Sequence, residues 1–411
     1  MIVAIISFAI VVFTTNFFGA DGRGEISLFV LNVTLVSMFS LVGGTSLVYL
    51  TSRVTPENLL LPSYFWAFNS SIGITALLWF VGLQDEQYIY HLGLLALMES
   101  LTQVNLQLVL GDNRIGRYNL VQFIQVGLLM LSLAIAHFVF DLNGIEAYIA
   151  AFYVSRLYSI VHSLSSIYSL LGFEKPENIR ANFWLNLKNL FSYGWVIQTA
   201  NIAQLLNYRV AYWLLEKLLP EKGTELVGIY STGINLAEAV WILSRSVSTV
   251  QYAEISNTRD DEYQVDLTVG LFKLNTIVTF LCMIPLLLVP SAWFEWVFGK
   301  GENFDQIQLV LLFLFPGIIA NAAAGSLSHY FSGVARYSVN TYGSVAGLIV
   351  TLIAGVVLIP AYGLVGAAIA ASASYVVALL YQWVVFVRKE NVSWKHFLLN
   401  EKDIQRIKNL I

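Results

Sequence analysis

Twelve runs of mostly apolar residues, nearly all about as long as a membrane-crossing helix, follow one another along this chain. They lie approximately at 1–18, 26–50, 61–83, 88–110, 118–140, 145–171, 191–215, 226–252, 267–290, 307–330, 339–359 and 364–387. A helix needs about 20 such residues to cross the hydrocarbon core, whereas a barrel strand needs about 9–11. The runs therefore predict helices. Charged residues make up 12% of the 411 and apolar residues 57%, against about 25% charged in a soluble domain. That balance excludes a soluble, disordered or fibrous chain and defines an all-α polytopic membrane protein with about 12 transmembrane helices. The net charge of −4 argues against a nucleic-acid partner. The lone Cys282 supplies no disulfide framework, and the scattered His91, His137, His162 and His329 have no metal-ligand spacing, so no metal is expected.

Most connections are short, the longest stretches being 172–190, 253–266 and the tail. None accommodates an extramembrane domain, and none holds a nucleophile–base–acid set, so an enzyme is not expected. Of 22 Lys and Arg, 14 fall in alternate loops and the tail, and 4 in the opposite loops. This strict alternation predicts an even number of spans with cytoplasmic N- and C-termini. Span 1 lacks the basic start and small-residue cleavage site of a signal peptide and is retained as a helix, although 18 residues from Met1 barely suffice.

The halves show local matches: Gly24–Ser27 with Gly228–Ser231, and Arg117-Tyr118 with Arg336-Tyr337, the latter sharing its offset with Gly144 and Gly363. A duplication of six helices gives an N-terminal lobe with connecting loop over 1–189, a C-terminal lobe over 190–390 and a cytoplasmic tail helix over 391–411. Six helices per half give both lobes one orientation, the layout of a transporter with a central cavity and alternating access.

Five ionisable residues lie at span depth: Glu99, Arg156, Arg209, Glu238 and Arg245. Each costs about 2.5–3.5 kcal/mol at a helix centre, so they must face one another or water. Gln198, Asn201, Tyr208, Arg209, Tyr212 and Glu216 share an arc of about 100° on span 7. On span 8, Ser231, Asn235, Glu238, Trp241, Arg245, Thr249 and Tyr252 share about 120°, and on span 6 Arg156, Ser159, Ser163 and Ser166 share about 80°. One reading is a cationic, hydrated cavity for an anionic head group, because the guanidinium fork matches phosphate and stays charged. Tyr208, Tyr212, Trp241 and Tyr252 would then stack on sugars. The other reading pairs the arginines structurally with Glu238 or Glu99. Either carboxylate alternatively carries a proton or Na⁺ as the coupling group; no organic cofactor is expected. Lys273 is placed to snorkel, the Gly343–Gly347 and Gly366–Ala371 small faces to pack closely, and Pro316 to kink span 10.

Three segments resemble the polysaccharide-flippase branch of the multidrug/oligosaccharidyl-lipid/polysaccharide exporter superfamily. They are Phe18–Ser27, similar to L-G-x-x-G-x-G-x-x-S; Val227–Ser231 with Leu236-Ala237-Glu238; and Leu358–Ala370, similar to L-I-P-x-Y-G-x-x-G-A-A-I-A. The resemblance implies two six-helix lobes around a central cavity that flips an undecaprenyl-diphosphate-linked oligosaccharide to the outer leaflet of a bacterial inner membrane. It further implies that Arg209 and Arg245 hold the diphosphate and that Arg23 and Arg53 serve at the cavity mouths; the polar stripes themselves add Arg156, Gln198, Asn201 and Tyr208 as candidate substrate-binding residues. Twelve spans favour the Wzx-type group that handles O-antigen (lipopolysaccharide) or capsule units. Implied partners are the lipid-linked glycan, membrane lipid, a polysaccharide polymerase and a chain-length regulator. The alternative in the same superfamily is a cation-coupled multidrug exporter.

Overall fold

The computed structural model describes residues 2–41, 44–51, 53–170 and 179–398, with backbone alone at 44, 45, 179–181, 193 and 242–250. Almost all of it is helix. In order come α1 (Ile2–Ser40), α2 (Gly44–Leu50), α3 (Pro56–Phe80), α4 (Ile89–Gly111), α5 (Ile115–Phe138) and α6 (Gly144–Tyr168). These are followed by α7 (Ile179–Leu218), α8 (Gly223–Asn257), α9 (Asp261–Leu288), α10 (Ser291–Phe298), α11 (Ile307–Gly333) and α12 (Tyr337–Lys389). By length and composition, α1, α4, α5, α9, α11 and α12 each hold a stretch apolar enough to cross a membrane. The other long helices, α3, α6, α7 and α8, run for 25 to 40 residues, and α6, α7 and α8 carry the polar stripes read from the sequence.

Two spans lie in α1 and two in α12, which is how about twelve spans fit into the ten long helices among the described residues. The breaks fall on the glycines of two of the resembling segments. Gly19 takes φ 68°, ψ −172° inside α1, and Gly363 takes φ 54°, ψ −125° inside α12. Both values suit glycine because an L side chain is strained at such positive φ. At the second corner a Cβ on Gly366 would lie 2.2 Å from the Leu358 carbonyl oxygen, so only glycine lets the returning helix pack so closely on the outgoing one. Span 2 is also divided, α1 ending at Ser40 and α2 beginning at Gly44. The stretch expected to connect spans 6 and 7 is partly helical, because α7 already starts at Ile179.

Contacts between connections agree with the span count. The link before α5 meets the end of α6 through Arg114 and Ser169 (2.6 Å), and α7 reaches the start of α3 through Asn186 and Asn58 (3.1 Å). Asn303 meets Glu225 (2.7 Å), and Arg336 meets Glu390 (2.6 Å). Each pair joins connections that the alternation of Lys and Arg places on one face.

The chain divides into two compact units, Met1–Leu205 with Val297–Glu302, and Leu206–Trp296 with Asn303–Ile411. In the first unit α1 packs on α3, α4, α5 and α6, and α6 packs on α4 and α5. Hydroxyls and amides tie these helices where apolar burial has little force in lipid: Ser40 to Ser70 (2.8 Å), Asn105 to Ser163 (3.0 Å) and Ser159 to Gln125 (3.0 Å). In the second unit α11 is the central helix, flanked by α8, α9 and α12. Asn207 of α7 donates to the Ser344 carbonyl (2.7 Å) and accepts from Ser374 (3.1 Å), holding both halves of α12. The expected tail helix begins with a short 3-10 turn, Trp394–Phe397, whose Phe397 packs on Phe272 and Phe386; 399–411 lie outside the described residues.

Candidate functional site

Four of the five span-depth charges pair in two places, one in each unit. In the first unit Arg156 of α6 reaches Glu99 of α4, Nη1 to Oε2, at 2.8 Å, each side chain 12% exposed. Gln103, one turn beyond Glu99, donates to its other oxygen at 2.8 Å. The Arg156 guanidinium lies 4.5 Å from the Phe152 ring centroid. Arg23, expected at a cavity mouth, is 8% exposed, with Nη1 donating to Thr14 Oγ1 at 3.4 Å. Arg23 and Arg156 both lie within electrostatic reach of Tyr148.

In the second unit Arg209 Nη2 lies 2.8 Å from Oε1 and 2.9 Å from Oε2 of Glu238, spanning α7 and α8. Tyr212 lies beneath the guanidinium at 5.5 Å. Beside it Tyr208, Trp241 and Tyr375 form a triangle of rings with centroids 5.5, 5.5 and 6.1 Å apart. Asn321 Nδ2 donates to the Tyr208 hydroxyl at 3.2 Å.

Both glutamates are thus held by arginines, the pairing the sequence left as its second reading. The pairing is incomplete. Arg209 Nη1 and Arg156 Nε are buried with no hydrogen-bond partner among the described residues. A buried donor left unmade costs about 1–3 kcal/mol, more when charged, so each guanidinium keeps capacity for another acceptor.

The remaining sequence candidates are placed differently. Gln198 is buried and donates to the Met38 carbonyl at 2.7 Å, satisfying a group near the end of α1, and Asn201 donates to Gln198 at 3.3 Å. Both belong to the first unit, while Tyr208 and Arg209 belong to the second. Arg53 is exposed and folds over its own neighbour Tyr49, 3.6 Å from the ring. The Arg245 and Thr249 side chains lie outside the described residues. Sequence reasoning missed Gln103, which the i+4 spacing from Glu99 would have revealed, and Tyr375 and Asn321, which arrive from distant spans and left no local signal.

No family model matches the chain. Solved structures of similar fold include an inward-facing multidrug resistance MATE family transporter of the MOP superfamily. That match has TM-score 0.73 and 12% identity and covers 95% of this chain and 94% of the other. Another is the lipid II flippase MurJ in an inward closed conformation, with TM-score 0.73 and 14% identity, covering 99% of this chain and 88% of that one. The chain therefore shares the fold of these transporters. In sequence, the chain is 26% identical over 222 residues to the capsular polysaccharide biosynthesis protein CapF of Staphylococcus aureus. The match covers 52% of this chain and 54% of CapF, so it spans about half the length of that relative.

Proposed function

We propose that the chain is a flippase that moves an undecaprenyl-diphosphate-linked oligosaccharide, a capsule or O-antigen repeat unit, from the inner to the outer leaflet of a bacterial inner membrane by alternating access. The observation that carries this reading is the pair of span-depth arginines, Arg156 and Arg209, each held by a glutamate and each keeping an unpartnered N–H. A diphosphate offers such donors charge-assisted acceptors in a medium that supplies few others. The likeness to a capsule biosynthesis protein and the fold shared with a lipid II flippase support a lipid-linked glycan as the substrate class. The bias of Lys and Arg supports cytoplasmic termini. Arg245 shares the polar stripe of Glu238 on α8 and is assigned to the same task, with Arg23 and the aromatic triangle of the second unit as further substrate contacts.

The exporter reading, in which Glu99 or Glu238 carries the coupling ion, draws support from the MATE-like fold. It is disfavoured because arginines already engage both carboxylates.

Complementation distinguishes the two. The gene is expressed in one strain lacking its repeat-unit flippase and in another lacking its drug exporter, with surface polysaccharide and cationic-drug resistance as readouts. Restored polysaccharide that is lost again with Arg156→Ala or Arg209→Ala, at unchanged membrane abundance, supports the flippase. Restored resistance alone overturns it.

A further inference from the structure

We propose that the joined ends of α4, α5 and α6 form a binding site for the phosphate head of an inner-leaflet lipid, built on Arg114, Arg117 and Ser169. Arg114 Nη1 donates to Ser169 Oγ at 2.6 Å, and Arg117 Nη1 donates to the same oxygen at 3.3 Å. That hydroxyl spends its own proton on the Ser166 carbonyl at 2.7 Å. Two like charges therefore converge on a single neutral oxygen. Among the described residues the one carboxylate bonded here, Asp112, engages Arg114 through Nε at 2.7 Å. The C-termini of α4 and α6 favour cations nearby, which accounts for the charges but not for both forks closing on one point. A phosphate bridging the guanidiniums does account for it, because each planar fork offers paired donors to its oxygens.

The surroundings point to a lipid as the source of that phosphate. Ile115 and Tyr168, next to Arg114 and Ser169 in sequence, are exposed apolar and aromatic side chains. The group thus combines an aromatic, an aliphatic and two arginines where helices end, the composition of a membrane–water boundary. Basic recesses between helix ends on the cytoplasmic side suit anionic head groups, and these connections carry the Lys and Arg excess expected there. The site is separate from Arg156 and Arg209. The assignment to the inner leaflet rests on the orientation in the functional reading, and under that reading the site would hold lipid phosphates at the leaflet from which substrate is taken.

The test uses the full chain in detergent and follows its thermal midpoint with added phosphatidylglycerol, phosphatidylcholine or inorganic diphosphate. Phosphatidylglycerol is expected to raise the midpoint by several degrees more than phosphatidylcholine, and the excess is expected to vanish in Arg114→Gln/Arg117→Gln. Arg114→Lys/Arg117→Lys, which keeps charge but loses the forks, is expected to retain only part of it and serves if the glutamine variant fails to fold. An equal phosphatidylglycerol effect in wild type and the lysine or glutamine variant overturns the site. An arginine-dependent shift with inorganic diphosphate alone overturns the lipid as its source. Neither readout depends on glycan export, so failure here leaves the flippase reading standing and failure of that reading leaves this measurement intact.

Discussion

The Glu302 carboxylate accepts a hydrogen bond from the backbone N–H of Ala20 at 3.0 Å. Ala20 is the first residue after the break at Gly19, so the second half of α1 opens on an N–H that an acidic side chain from the far end of the sequence satisfies. Asn16 donates to the Val297 carbonyl (2.7 Å) and Phe8 meets Phe298 edge-on (6.1 Å), fixing the segment that delivers Glu302. A Cβ on Gly19 would sit 2.7 Å from the carboxylate oxygen. Gly19 is therefore required twice, for its positive φ and for the space.

A double-mutant cycle separates the two requirements. Glu302→Ala is expected to lower stability by about 1 kcal/mol, the usual worth of a helix cap. Gly19→Ala is expected to cost about 1–3 kcal/mol for the backbone conformation alone, and more where the carboxylate must move. In the Glu302→Ala background Gly19→Ala should cost less, because the collision is gone. Strict additivity in thermal or denaturant unfolding would mean that the two residues do not touch.

The two ion pairs give a prediction of a different kind. Removing one partner, as in Glu99→Gln or Arg156→Gln, leaves a charge largely out of water and should cost about 3–5 kcal/mol. Exchanging the charges, Arg209→Glu with Glu238→Arg, should recover most of the stability lost in either single variant. Export should stay lost after the exchange, since the substrate would meet a carboxylate where it needs a guanidinium. Export restored together with stability would make the pair purely structural.

At the corner of α12, Gly366→Ala should destabilise more than Gly363→Ala. The first forces a methyl onto the Leu358 carbonyl, 2.2 Å away, while the second meets no atom within 4 Å and bears only its positive φ, about 1–3 kcal/mol. Thermal midpoints of the two variants in the same detergent check the order.

Orientation is checked by labelling single cysteines in a Cys282→Ser background with a membrane-impermeant maleimide on intact cells. Asp141→Cys should label from outside, and Asp112→Cys only after the membrane is opened. The opposite pattern would invert the topology and move the Arg114 site to the outer leaflet.

Hydropathy made the spans legible because lipid demands a minimum apolar length whatever the partners. The corners at Gly19 and Gly363 were legible as glycines in recognisable patterns. Their geometry was not, since a corner made at a single glycine leaves no polar stretch between the spans and so no hydropathy signal. Residue type marked Arg156 and Arg209 as costly, yet Glu99 reaches Arg156 across 57 positions and helix adjacency decides that, not local pattern. Gln198, grouped with the candidate substrate contacts by its stripe, also donates to the Met38 carbonyl near the end of α1, where the last carbonyls need donors. Lys273, expected to snorkel, is 7% exposed, among the polar side chains of α9 that Gln264, Thr268 and Asn275 also provide.

The tight corner at Gly363 also bears on how the chain is made. With its last two spans joined only by that corner, α12 leaves no polar stretch between limbs that pack as closely as Gly366 on the Leu358 carbonyl. A ribosome paused between them would hold a first limb whose Gly366 counterpart has not yet been synthesised. Epitopes or proteolytic sites placed at 361–363 should therefore abolish biogenesis, whereas the same insertions in the polar turn at 258–260 should be carried to the membrane without harm.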